Sequence, residues 1–600
     1  MTDPVQKIKE LDGKQLYYSF LAGAQRIFEH QRLLNKINVF PVADADTGTN
    51  LASTMRSIID AIIPTDNPKQ AATALADAAL VGARGNSGII FAQFLYGFSN
   101  EIKTEQTLDI QSFAESMRRA VTYAYDAIAN PVEGTILTVI KDWAEYMYIL
   151  KDRIDDFIRL LIEAYYKALE SLAQTTNKLE ILARSHVVDA GAKGFVFFLE
   201  GIVDFFTKGA DKNLNALAEQ AENTTELIEV PHDAITFRYC TEALISGHHM
   251  DKAKIQDYIG HSGDSLVIAG SPSKLRIHIH TDFPAEVCVQ LQRFGSMTYQ
   301  KVDDMILQNE ILFNRKSKVA ILTDSSCDLP QELLDYHQIH LVPLSVYIGE
   351  SYYLDRMTIQ PPQFYSLLEK SETNPSSSQP SSKDFQNKYE YLCTHYDSII
   401  GIHLSQALSG TFSNSKIASQ EVSHRTGKKI ELFNSKTITG GLGLLILRIA
   451  QALEKGVSHE ELSPKIEEWI EKSKMRVSVT TLKYIVRSGR VSAFKSFIAK
   501  MLDLKPVIAL DAEGKTEMLS KSFTIKGINK KLIHSIEKIV RNQKVWGYAI
   551  THANNPKAVD YYIAEMERMT GMKPVFVDHA SPALAANTGP GVACISLMLE

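Results

Sequence analysis

Cysteine is scarce in this chain. Cys240, Cys288, Cys327, Cys393 and Cys594 are the five in 600 residues, odd in number and widely spaced. No disulfide framework is legible in that spacing, and a reducing compartment, the cytoplasm, is the expectation. A charge excess is also lacking: 64 Lys and Arg stand against 70 Asp and Glu, a net −6. That supplies no basic field for nucleic acid or an anionic lipid surface. Long apolar runs are missing too. The greasiest stretches, Gly194–Phe206 and Gly441–Leu453, are interrupted by Glu200 and Asp204 and by Arg448, so neither is expected to span a bilayer. Residues Met1 to Lys14 are polar and charged, without the apolar centre of a signal peptide. What remains is the composition of ordinary folded domains, 45% apolar and 22% charged, in a chain too long for one core.

The stretch that organises the rest is Asn38-Val39-Phe40-Pro41-Val42-Ala43-Asp44-Ala45-Asp46-Thr47-Gly48-Thr49-Asn50. Asp44 and Asp46 lie two residues apart, ahead of a Thr-Gly-Thr-Asn turn and an apolar-periodic helix expected over Leu51–Ile62. Such a pair can place both carboxylates on one Mg²⁺, which keeps waters and phosphate oxygens as its other ligands. The turn offers N–H groups and hydroxyls at a helix N-terminus, where phosphate is favoured. An Asp-rich surface turn that caps a helix is the alternative.

Residues 1 to about 207 read as helix almost throughout: Gly13–Leu34, Leu51–Ile62, Gln70–Val81, Ile89–Phe98, Ile110–Ala129, Ile136–Leu150, Ile154–Leu172 and Gly191–Phe206. Apolar residues recur at three- and four-residue spacing, which predicts an all-α bundle or barrel with its chemistry on loops at one end. Three more loops carry signals. Gly82-Ala83-Arg84-Gly85-Asn86-Ser87-Gly88 is small enough to let amides approach a phosphate, although a glycine-rich turn is also plain punctuation. Pro131-Val132-Glu133-Gly134-Thr135 opens a helix, with Thr135 as cap or phosphate contact. Val187-Val188-Asp189-Ala190-Gly191-Ala192-Lys193-Gly194 opens the last long helix, where Asp189 can simply be an N-cap.

Together, in this order, these four loops resemble the nucleotide site of the dihydroxyacetone-kinase type L domain, in the version found in bacterial fatty acid kinases. The resemblance implies an all-α helical barrel that binds ATP, with Asp44 and Asp46 holding magnesium and acting in catalysis. Asn38 stands where glycerone kinases have a third Asp. Thr47, Gly48, Thr49, Asn50, Ser87, Gly88 and Thr135 would surround the phosphates, and Asp189, Gly191 and Gly194 would line the nucleotide pocket. Those families have Pro and Gly where this chain has Ala43 and Ala45.

Lys212–Leu227 is polar and reads as a linker. Beyond it the texture turns α+β, with strand-like residues in Ala234–Ser246 and Ser265–Ile279 and a helix expected near Pro284. His278-Ile279-His280 alternates within a strand, so both imidazoles should face one side. With Cys240 from another strand they could form a tetrahedral Zn²⁺ site, or simply a polar sheet face. Phe237–Gly247 and Gly263–Glu286 resemble the middle domain of fatty acid kinases, a small α+β module associated with assembly. That resemblance implies a homodimer, and the zinc is read as structural because no general base stands beside the trio in sequence.

From Lys318 the pattern is α/β. Strand-like runs Val319–Thr323, Ile339–Ile348, Ser398–Leu404, Ile430–Phe433 and Val545–Thr551 are mostly separated by helical patterns, so a mostly parallel sheet is expected. Polar turns fall at the carboxyl ends of these strands, where ligands bind in such sheets. Ser376-Ser377-Ser378-Gln379-Pro380-Ser381 has the composition of a flexible linker. With Thr323-Asp324-Ser325, Leu408-Ser409-Gly410-Thr411, Ser488-Gly489-Arg490, Lys505-Pro506 and Gly589-Pro590-Gly591, it resembles the DegV family of fatty-acid-binding proteins, an α/β fold of two subdomains. By that resemblance Ser377 or Ser378, Ser409 and Thr411 would bind the carboxylate of a fatty acid, with Arg490 near the mouth. Asn587 takes the position of a His that DegV proteins carry before Gly-Pro-Gly.

The expected domains are therefore 1–207, 228–315 and 316–600. The combined resemblance implies ATP + fatty acid → ADP + acyl phosphate, the fatty acid carboxylate serving as its own nucleophile, with an acyl-phosphate-using acyltransferase as the next consumer. Three other readings stay open: a glycerone-type kinase, a lipid-binding or regulatory protein with a vestigial kinase domain, and a kinase for another small carboxylate.

Overall fold

Local capping chemistry sets the helix boundaries of the N-terminal third. Asp12 accepts the Gln15 N–H at 2.7 Å while Gln15 accepts the Asp12 N–H at 3.0 Å, a reciprocal box that starts α1 (Gly13–Glu29). The single helix expected over Gly13–Leu34 is two: the backbone leaves the helical region at His30 (φ −108°, ψ 10°), whose ring Nδ1 lies 2.8 Å from the Arg26 carbonyl. The chain then continues as α2 (Gln31–Lys36). There follow α3 (Thr47–Ala61), α4 (Pro68–Gly82), α5 (Gly85–Glu101), α6 (Ile110–Tyr125), α7 (Ile136–Leu150), α8 (Phe157–Lys178), α9 (Glu180–Ser185) and α10 (Ala190–Lys208). Their apolar faces enclose an aromatic core in which Phe20, Phe91 and Phe195 surround Phe198, ring centroids 5.0 to 6.5 Å apart. Each such ring, fully buried, contributes roughly 2–3 kcal/mol before ordering costs.

The structure is a computed structural model that describes residues 7–40, 46–61, 63–104, 106–208, 235–370, 373–489 and 504–600. Ala43, Asp44, Ala45, the polar stretch 212–227 and Arg490 lie outside the described residues. The chain divides into two compact units, 1–283 with 290–306, and 284–289 with 307–600.

Within the first unit, the two-residue strands β1 (Glu10–Leu11) and β2 (Leu108–Asp109) pair beside the helices. The middle segment forms β3 (Tyr239–Ser246), β4 (Asp264–Ser271), β5 (Lys274–Thr281) and β6 (Ser296–Asp304), an antiparallel sheet of order β4-β5-β3-β6. The run expected over Ser265–Ile279 is thus a hairpin, broken at Pro272-Ser273, where proline withholds a ladder donor. This sheet is continuous with the helical core. Val267 and Ala269 are 2% and 0% exposed inside it. The Ile268 N–H reaches the Ala127 carbonyl at 2.7 Å, and the Ala129 N–H reaches that of Leu266 at 3.1 Å.

The second unit contains β7 (Val319–Asp324), β8 (His340–Val342), β9 (Ser345–Ile348), β10 (Ser351–Leu354), β11 (Ser376–Ser378), β12 (Ser398–His403), β13 (Lys429–Asn434), β14 (Ser473–Ser478), β15 (Lys505–Leu510), β16 (Thr516–Ser522), β17 (Val545–His552), β18 (Phe576–His579) and β19 (Ala593–Leu599). The sheet β13-β12-β7-β8 is parallel, as expected. The sheet β16-β15-β14-β19-β17-β18 is not: all its pairings but β17–β18 are antiparallel. A small antiparallel sheet β10-β9-β11 completes the set, so the serine run is a strand and not a linker. Ile339–Ile348, read as one strand, divides between two sheets.

The greasy run Gly441–Leu453 is a buried helix, and its Arg448 spans the gap to Trp469 and Trp546 while donating to the Leu599 carbonyl at 2.7 Å. Among the described residues no helix is long and apolar enough to cross a membrane.

Candidate functional site

The sequence-marked loops of the helical domain meet at one end of the barrel. Asp46 caps α3, its carbonyl accepting the Asn50 N–H at 2.8 Å. Asn50 and Thr54, one turn apart on α3, reach the glycine turn. A Cβ on Gly85 would lie 2.5 Å from Asn50 Nδ2, and one on Gly88 would lie 2.6 Å from Thr54 Oγ1. The glycine turn in turn touches the last loop, since a Cβ on Gly191 would fall 2.4 Å from Ser87 Oγ. Gly194 lies against Leu51 and Leu34. Asp189 closes the ring. It is buried, accepts the Ala192 N–H at 2.7 Å and also that of Ile136, next to Thr135. Burial pushes its carboxyl up to about 6, against the pull of those two N–H groups.

One helix boundary differs from the sequence reading, and two threonine hydroxyls have protein partners. The helix after the glycine turn begins at Gly85, not Ile89, and Gly85 itself adopts φ +59°, which a side chain would resist. Asn86 and Ser87 are thereby in the first helical turn, where amides have no intrahelical acceptor. Thr49 faces α2: its N–H donates to Asn35 Oδ1 at 3.0 Å, and its hydroxyl receives Asn35 Nδ2 at 2.9 Å. The Thr135 hydroxyl is likewise spent on the Val132 carbonyl at 2.8 Å. Asn38 is buried beside α2; Asp44, the other expected magnesium ligand, is outside the described residues. The remaining set fits a magnesium nucleotide: the first-turn amides after Gly85 are donors for phosphate oxygens, Asn86 Oδ1 is buried with no hydrogen-bond partner, and Asp46 is a carboxylate at the start of α3.

The middle sheet turns a polar face toward this end. Its ladder sets residues in cross-strand rows: Asp264, His280, Cys240 and Asp303 in one, and Val267, His278, Glu242 and Lys301 in the next. His278 and His280 share a face as expected, and with Cys240 their ligand atoms lie within 4.8 Å of one another. His280 Nδ1 sits 3.3 Å from Asp264, the carboxylate support usual for a metal-binding imidazole. His278 Nε2 is buried with no hydrogen-bond partner. Burial, with Glu242 and Asp303, pushes the Cys240 thiol well up, and burial pulls His278 down. Two imidazoles on one sheet face and a buried thiol that a bound cation would deprotonate fit Zn²⁺. The sequence shows no base beside this trio, but the fold supplies carboxylates around it. Asp46 also acts electrostatically on Cys240, His278 and Lys301.

Glu242 was invisible as a site residue in the sequence. It sits two positions after Cys240, so strand alternation places it on the same face. One oxygen accepts the Gly85 N–H at 2.6 Å and the other pairs with Arg276 at 2.6 Å. Burial would raise its pKa, but the Arg276 charge holds it well below the usual range.

In the second unit the DegV-like residues converge in part. Asn587 Nδ2 donates to Ser377 Oγ at 2.7 Å and to the Ala583 carbonyl at 2.7 Å. Ser409 and Thr411 hydroxyls lie 2.9 Å apart. Gln379, which the sequence reading did not single out, joins the serine strand to them by accepting the Gly410 N–H at 3.0 Å. Ser378 pairs with Ser345 in β9. Arg490 is outside the described residues.

The short helix α11 (Pro582–Thr588), which carries Asn587, hangs from two buried carboxylates. Asp328 accepts the Ser581 N–H and Asp355 the Ala583 N–H, each at 2.9 Å. Burial pushes Asp328 up to about 8 and Asp355 to about 6.

These features define a multidomain protein: an all-helical domain of kinase type, a strand-containing middle domain and an α/β half. Three family models match the chain. The DAK2 domain covers residues 41–204, the FakA-like middle domain of fatty acid kinase 236–312, and the DegV family 318–600. The chain is thus a fusion of a DAK2 domain, a FakA-like middle domain and a DegV family domain.

It is 32% identical over 325 residues to Protein YloV of Bacillus subtilis, covering 52% of this chain and 59% of that protein. It is 33% identical over 314 residues to an uncharacterized protein of Staphylococcus saprophyticus, covering 50% and 56%. The chain thus spans less than two thirds of these relatives' length. Among solved structures it is similar to a fatty-acid-binding DegV family protein from Thermus thermophilus, at 26% identity and TM-score 0.44, covering 47% of this chain and 99% of that one. A DegV fatty acid binding protein from Bacillus subtilis matches at 25% identity and TM-score 0.43, covering 47% and 100%.

Proposed function

We propose that this protein is an ATP-dependent kinase that phosphorylates the carboxylate of a fatty acid held in its DegV-type domain, giving acyl phosphate and ADP. The observation that carries this reading is the closure of four loops, from Asp46, Gly85, Thr135 and Asp189, into one polar ring at the end of the helical barrel. Asn86 and Ser87 amides would receive phosphate oxygens. Asn38, Asp44 and Asp46 would hold Mg²⁺, which neutralises phosphate charge when bound. The acceptor needs no general base, because a carboxyl of ordinary pKa, about 4, is already ionised near neutrality.

In the DegV-type domain, Ser377, Ser409 and Thr411 supply hydroxyls for a carboxylate. Asn587 positions Ser377 without carrying charge of its own. The reading further takes the protein as a cytoplasmic homodimer with a zinc held by Cys240, His278 and His280. The acyl phosphate, a mixed anhydride, would pass to an acyl-phosphate-using acyltransferase.

A carrier or regulatory role is the second reading. It is favoured by the Asn587 amide, whose N–H groups are already engaged by Ser377 and Ala583. Native mass spectrometry, followed by addition of ATP and Mg²⁺ to the same sample, separates the two. A co-purified fatty acid with ADP and a hydroxylamine-trappable acyl group, both lost in Asp46→Ala, supports the kinase. Bound lipid without turnover supports the carrier, and absence of lipid rejects both.

A further inference from the structure

We propose that Glu242 is a positioning residue of the nucleotide site: carried on the middle sheet, it fixes the glycine turn of the helical domain through the Gly85 N–H. The inference rests on the reading that this turn binds nucleotide.

The first amides of a helix have no partner within it and are the groups a phosphate would use. Here the Gly85 amide is taken by Glu242 Oε1 at 2.6 Å in a buried setting. Gly85 has φ +59°, with Asn50 packed where a Cβ would be. The other carboxylate oxygen is held by Arg276, both side chains at most 1% exposed, and the Arg276 guanidinium lies 4.2 Å over the Tyr299 ring. Glu242 is therefore a fixed strut with one end in each segment. A carboxylate–amide bond of this kind is charge-assisted and stronger than a neutral one. It leaves the Asn86 and Ser87 amides as the next donors, aimed by an anchor that belongs to the sheet bearing Cys240, His278 and His280.

The test uses the full-length protein, MgADP as the probe, and backbone hydrogen exchange of residues 84–88 without nucleotide. Glu242→Gln with Arg276→Met keeps an acceptor for Gly85 and leaves no unpaired arginine, so MgADP affinity stays within about threefold of wild type and exchange stays slow. Glu242→Leu with Arg276→Met removes both buried charges together, so no unpaired arginine remains. It frees the Gly85 amide and weakens MgADP by about 30- to 100-fold, with faster exchange confined to the turn, as expected for misplaced binding groups. If that double variant does not fold, Glu242→Asp, one methylene too short to bridge both partners, replaces it in both assays.

Wild-type affinity and exchange in the Glu242→Leu, Arg276→Met protein overturn the proposal, as does a Glu242→Gln, Arg276→Met protein as weak as that one. A wild-type protein that fails to bind MgADP rejects the nucleotide reading instead. The exchange measurement then still decides whether Glu242 anchors the turn.

Discussion

Asp328→Asn should make the DegV-type half more stable at neutral pH, although it removes a buried acid that makes three polar contacts. Asp328 is fully buried. Its oxygens take the Ser581 N–H at 2.9 Å and the Thr439 hydroxyl, while Arg356 stands 3.7 Å away with its other arm on Asp578 at 2.6 Å. Burial outweighs Arg356 and pushes the carboxyl from its ordinary 3.8 up to about 8. A carboxyl raised in the folded state contributes fully below pH 3.8 and loses that contribution as pH rises through about 8. At pH 7 folding must therefore bind a proton, at about 1.4 kcal/mol per pH unit above 3.8, or about 4 kcal/mol in all.

Asparagine has the shape and hydrogen-bonding pattern of the protonated acid. It offers an oxygen to Ser581 and an amine to Thr439, whose hydroxyl can rotate to accept. The variant should match wild type near pH 4 and exceed it by up to about 4 kcal/mol at pH 7, the difference growing by about 1.4 kcal/mol per unit. Urea unfolding between pH 4 and 8 measures this. Trp469 and Trp546 report on the second unit in a Trp143→Phe background, since these three are the only tryptophans. A stability difference independent of pH would refute the reasoning, because it would mean that Asp328 is ionised beside Arg356 in the folded protein.

Asp189→Asn should act in the same direction in the helical domain. With a carboxyl raised to about 6, the gain over wild type appears as pH rises from 3.8 through 6 and levels at about 3 kcal/mol, read from Trp143 fluorescence during unfolding. Ser377→Ala should weaken fatty acid binding about ten- to 100-fold, the loss of a hydrogen bond to a charged group, as measured by displacement of a fluorescent fatty acid. Unchanged displacement would remove Ser377 from the head-group site. Wild-type protein should carry close to one zinc per chain by inductively coupled plasma mass spectrometry, and Cys240→Ser with His278→Ala should carry essentially none. Equal zinc in both proteins would exclude the trio as its site.

What could be read ahead of the structure was what short-range pattern determines. The helix Ile136–Leu150 has the bounds its periodicity indicates, with Thr135 as its N-cap residue. The shared face of His278 and His280 follows from strand alternation alone. The break at His30 was hidden because apolar spacing does not register a local departure of the backbone from the helical region. The antiparallel six-stranded sheet was missed because Ala593–Leu599 is apolar on both faces, so periodicity does not identify its partners β14 and β17. Glu242 lies 157 residues from the amide it holds, and Asp328 lies 253 from Ser581. Neither separation leaves a local trace. Gln379 stood inside a named serine run, yet nothing near it in sequence indicates Gly410 as its partner.

The seam between helices and middle sheet bears on how such proteins can be recombined. Val267 and Ala269 are core residues of the helical domain although they lie beyond a polar stretch that looks like a natural place to cut. A gene exchange at that stretch would deliver a barrel with an open apolar wound and a sheet with a bare edge strand, both prone to aggregate. The two segments must therefore be inherited together.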